Sequence, residues 1–118
     1  MSENSNFKMP ELATLSIHDL WCLGELFETL REAAMNFCNQ PRLNDTSAAD
    51  FADDLWGVHY AGICEDIYKE ALQRQPANGN EAEWRAWAII NYLSKTDDFR
   101  GVMDAAVDAL EARRKHAA

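Results

Sequence analysis

Four runs of apolar residues spaced at three and four, separated by segments that cannot continue a helix, constrain this chain more than any other feature. In the first run Leu20, Leu23, Phe27, Leu30, Ala34 and Phe37 recur at that spacing, which places them on one stripe of a helix turning 100° per residue. No stretch shows the strict alternation of a half-buried strand. The fold class is therefore all-α.

The signals for helix ends agree with the runs. Ser16 with Asp19 three positions on opens a first helix at Ile17, and Pro41 followed by Leu43-Asn44-Asp45-Thr46 stops it after about Asn39. Ser47 with Asp50 opens a second, extending to about Gln75, with Phe51, Leu55, Val58 and Gly62 on one stripe. A second stripe, Ala52, Trp56, His59, Ile63 and Ile67, lies beside it, so this helix should touch two neighbours. Pro76-Ala77-Asn78-Gly79-Asn80 breaks the chain, and Asn80 with Glu83 opens a third helix over Glu81 to Ser94, expected to bury Trp84, Trp87, Ile89, Ile90 and Leu93. Thr96 is the expected cap of a fourth. There Phe99, Val102, Met103, Ala106, Val107 and Leu110 make the cleanest stripe in the chain, with Arg100, Asp104, Asp108 and Glu111 opposite and Arg113-Arg114-Lys115 at the end.

Short connections imply antiparallel packing, so the expected architecture is a four-helix bundle spanning residues 16–115, preceded by a mobile arm over 1–15 that can pack through Leu12 and Leu15. The first two helices form a long hairpin, about 35 and about 42 Å, and the last two are shorter. That mismatch leaves apolar side chains uncovered at the far ends of the long pair and predicts self-association as a homo-oligomer.

Composition narrows the function classes. The 118 residues suit one domain, and a net charge of −9 repels phosphate backbones and anionic lipid surfaces, arguing against nucleic acid and membrane as partners. Cys22, Cys38 and Cys64 form no C-x-x-C pair, and Cys22 and Cys38 would stand about 24 Å apart along one helix, so unpaired thiols in a reducing, cytoplasmic setting are expected. The start Met1-Ser2-Glu3-Asn4-Ser5-Asn6 lacks a basic cluster followed by an apolar run. No Gly-flanked nucleophile and no Gly-rich phosphate loop occurs, and His18, His59 and His116 are scattered. His59, with no Lys or Arg before Lys69, is expected to be satisfied within or at the edge of the core.

Two features remain. Trp21 falls off the first apolar stripe and Trp56 lies on a broad face, so these two are the expected interface residues of a protein–protein interaction module, while Trp84 and Trp87 belong to the core. Glu25-x-x-Glu28 on the first helix and Asp50-x-x-Asp53 on the second are carboxylates at i and i+3, each pair sharing a helix face, a pattern that can hold Mg²⁺ in an oxygen cage. Gly24-Glu25-Leu26-Phe27-Glu28 and Asp50-Phe51-Ala52-Asp53-Asp54-Leu55 resemble the all-α nucleoside triphosphate pyrophosphatases of the MazG and dUTPase type. The resemblance implies Mg²⁺ held by Glu25, Glu28, Asp50 and Asp53 with water as nucleophile. The sequence departs from that pattern at Leu23 or Gly24, where the family carries an extra glutamate before the first pair, and at Asp50, where a glutamate opens the second. On the helical wheel, moreover, Glu25, Glu28 and Glu32 lie opposite their stripe and look outward, as do Asp50, Asp53 and Asp54, whereas a site within the bundle needs them inward. The leading expectation is thus a non-enzymatic, self-associating module without cofactor; the others are the Mg²⁺ enzyme and an acidic partner of a basic protein surface.

Overall fold

The computed structural model describes residues 8–96 and 98–116, and the segments of regular structure within them are all helical. Residues 1–7 of the expected arm lie outside the described residues. Helix α1, Ile17–Cys38, starts as read, with the Ser16 hydroxyl accepting from the Asp19 amide at 3.0 Å. Helix α2, Ser47–Asp54, is capped one residue earlier than expected, because Thr46 has the extended backbone of a cap and its Oγ1 accepts from Ala49 N at 3.1 Å. A single π-helical turn, Leu55–His59, joins α2 to α3, Tyr60–Gln73. Helix α4, Gly79–Lys95, is capped by Asn78 rather than Asn80. Thr96 closes α4 instead of opening the next helix; α5, Phe99–His116, is capped by Asp98, whose carboxylate accepts from Gly101 N at 2.9 Å.

Named contacts fix the directions. Arg74, at the end of α3, donates to the carbonyls of Leu12 and Leu15 ahead of α1, while Tyr60, at its start, lies against Phe27. Thus α3 runs back along α1. Arg85 donates to the Ala71 carbonyl and Tyr68 stacks on Tyr92 at 4.5 Å, so α4 reverses again and runs alongside α1. His18 accordingly meets Trp84 at one end of that pair and Lys95 meets Glu32 at the other. Arg113 pairs with Glu83, which brings α5 back along α4.

Helices α1, α3 and α4 touch one another and enclose the core. One cluster is Leu20, Phe27, Cys64 and Ile67, against which Leu12 and Leu15 pack; the other is Ala71, Ala88, Ile89 and Leu93. Gly24 is buried where α1 meets α3, its missing Cβ facing Ile67 at 3.7 Å. Helix α5 leans chiefly on α4 and contributes Val102 and Ala105 to the rim of the second cluster. The molecule is correspondingly flat, 57 × 38 × 16 Å.

Two expectations about buried stripes are corrected here. The α5 stripe read as core-facing leaves Phe99, Met103, Val107 and Leu110 exposed, since α5 has one substantial neighbour and meets it through one edge of the stripe, Val102, together with Ala105 beside it. The Phe51–Gly62 stripe is exposed at Phe51, Val58 and Gly62, while Ala52 and Ile67 of the stripe beside it are buried, so this segment turns its second stripe inward. His59, in that turn, is likewise exposed, with its ring beside Tyr60.

Candidate functional site: an uncovered apolar face and the Glu28 groove

The outer side of the α4–α5 hairpin is the first candidate. Trp87, expected in the core, is 45 % exposed, because α1 and α3 cover one side of α4 and α5 covers a second, leaving its outward side bare. Trp87 and Ile90 from α4 meet Ala106 and Leu110 from α5 around a hollow whose rim carries Glu83 and Arg113. Phe99, 70 % exposed, Met103 and Val107 continue the apolar surface along α5. Helix α5 buries none of its described side chains fully, so its helicity rests on this one-sided contact.

The interface residues read from the sequence sit differently. Trp21 is half-buried against the second cluster and Trp56 is half-buried on the π-turn; the indole N–H of each is enclosed without a hydrogen-bond partner among the described residues. Both are partly covered by their own chain.

The second candidate lies between α1, the π-turn and α4. Glu28, read as facing solvent, is only 8 % exposed. The wheel argument holds for Glu25 and Glu32, which are exposed, and fails at Glu28, which the π-turn, α3 and α4 packed around α1 cover. Arg31 stands 3.5 Å from the Glu28 carboxylate, and its Nε donates to the Trp56 carbonyl, which ties α1 to the π-turn. Neither Glu28 oxygen accepts a hydrogen bond among the described residues. Burial raises the Glu28 carboxyl above its ordinary range, with Arg31 opposing, and the Cys64 thiol on α3 is pushed up to about 12 by burial and by the nearby Glu28 charge. Two adjoining hollows of about 210 and 320 Å³ share Glu28, Glu32 and Lys95; Met35 and Trp56 line the first, and Glu25, Asn91 and Ser94 the second.

The four residues of the Mg²⁺ reading are not brought together. Glu28 faces the groove and Glu25 its rim, while Asp50 and Asp53 are exposed on α2, and among the described residues no three His, Cys, Asp or Glu side chains are placed to hold a metal ion. The buried Glu28 carried no signal in composition; Gly24, one turn before it on α1, was the mark of close approach on that side. Among the described residues no helix is long and apolar enough to cross a membrane. Comparison with protein-family models, with curated proteins and with solved structures gives no match, so the fold and these two sites are the whole basis for a functional reading.

Proposed function

We propose that this chain is a non-enzymatic protein interaction module that associates with a second copy of itself through the α4–α5 face. The observation that carries the reading is the exposed row Phe99, Met103, Val107 and Leu110 beside Trp87. Two helices of 17 and 18 residues side by side present a face of about 26 by 20 Å, smaller than the roughly 800 Å² per partner of a standard interface, which suits an association that dilution reverses. Two such hairpins packed face to face make a four-helix bundle between copies, a different arrangement from the single-chain bundle expected from the sequence.

Charge along α5 favours a two-fold arrangement. Asp98 caps its beginning and Arg113, Arg114 and Lys115 end it, so antiparallel pairing sets the basic end of one α5 beside the Asp98 cap of the other, with Arg100 in the first turn opposing. Replacing Val107 and Leu110 together by Glu places two desolvated charges in the contact. The expected result is a monomer in sedimentation velocity with an unchanged helical circular dichroism spectrum; an unchanged mass would remove this face from the assembly.

A further inference from the structure

We propose that Phe99 of a second copy fills the hollow beside Trp87, with α5 paired on α5 about a two-fold axis that passes between Asp104 and Ala105. This pairing presupposes association through the α4–α5 face and fixes its register. The apolar stripe of α5 is symmetric about its own midpoint: turned end for end between Asp104 and Ala105, Phe99 falls on Leu110, Val102 on Val107 and Met103 on Ala106. An antiparallel pair in this register sets apolar against apolar along the whole stripe. A slip of one residue would set Phe99 against Glu111 and Leu110 against Arg100. On the neighbouring helix, Arg113 lies against Gly79 and Glu83, which puts the α5 midpoint beside Ile90, so the same axis brings Ile90 toward its counterpart.

Shape and charge agree with that register. The hollow walled by Trp87, Ile90, Ala106 and Leu110 measures about 280 Å³, and an apolar space of roughly 150 Å³ already admits benzene, so a phenyl ring fits. Phe99 of the second copy stands opposite Leu110, at the wall of this hollow, and the two-fold fills both hollows at once. Arg100 and Glu111 border the stripe on the edge away from α4, each about 100° round from its middle. The axis keeps that edge of both helices on one side, so Arg100 of each copy comes within about 3 Å, measured along the helix, of Glu111 of the other. Both side chains are exposed, and among the described residues neither is in an ion pair. Asp104 and Asp108 lie farther round, on the hollow between α3 and α5.

The test is sedimentation equilibrium of the full chain and its variants at fixed ionic strength. Arg100→Glu and Glu111→Arg should each weaken the dimer about tenfold, and the double variant should recover the parent affinity. Net charge alone gives the opposite sign for Glu111→Arg, which brings each copy closer to neutral and would tighten the dimer. Phe99→Ala should weaken it about tenfold or more, whereas Phe51→Ala, as exposed but on α2, should leave it unchanged. A dimer that is lost on replacing Val107 and Leu110 by Glu, yet is indifferent to Phe99→Ala or is not restored by the double reversal, would keep the face and overturn this register. A parent chain that is monomeric at every concentration would remove the face and the register together.

Discussion

Ionising Glu28 places a charge in an enclosed position where burial outweighs the Arg31 guanidinium 3.5 Å away. Burial raises its carboxyl in the folded chain, so the native state holds this proton more tightly than the unfolded chain does. The stabilisation is fully present below the ordinary glutamate range and is lost as pH rises through the raised folded value. Glu28→Gln should therefore gain stability relative to the parent as pH is raised from 4 to 7, read as a widening gap between their urea midpoints; parallel curves would contradict the burial argument. The same enclosure governs the thiols. Cys64 is buried and pushed up to about 12, while Cys22 lies exposed at the start of α1, so alkylation of the native chain at neutral pH should label Cys22 and spare Cys64, as mass spectrometry of the digest would show. Glu28 was misread from the sequence for a reason that reaches beyond this residue: a helical wheel places side chains relative to one stripe, and α1 has neighbours on more than one side.

At the scale of the element, the starts and stops of helices were legible because local chemistry sets them. Ser16 caps α1 as its hydroxyl and Asp19 suggested, and the breaker before α4 fell where Pro76 to Asn80 placed it. Choosing among adjacent polar residues was harder, since Thr46, Asn78 and Asp98 cap where Ser47, Asn80 and Thr96 were equally plausible on composition. The π-turn had no such local mark. Asp98 sits tightly over the start of α5: a Cβ at Gly101 would come within 2.5 Å of its carboxylate, so glycine there leaves room for the cap. Asp98→Ala should cost about 1 kcal/mol, and because α5 has little other support the loss should appear as faster amide exchange in α5 before it appears elsewhere. Uniform acceleration through α1 and α3 would mean that α5 is integral to the core.

For the whole molecule, the all-helical class followed from periodicity, whereas the partner of each helix did not. The α5 stripe is as regular as any in the chain, and regularity shows that a face is apolar without showing what covers it. Three helices suffice to enclose the core, which leaves the fourth stripe for a neighbour outside the chain. A net charge of −9 on each copy opposes their approach, so association through an apolar face should strengthen as salt screens that repulsion, opposite to the behaviour of an acidic chain docking on a basic surface. Sedimentation equilibrium on the full chain, over a hundredfold range of concentration at low and high salt, tests this most directly. The account predicts twice the chain mass at high concentration, dissociation on dilution, and a shift toward the dimer with added salt. The single-chain mass at every concentration and salt would contradict it.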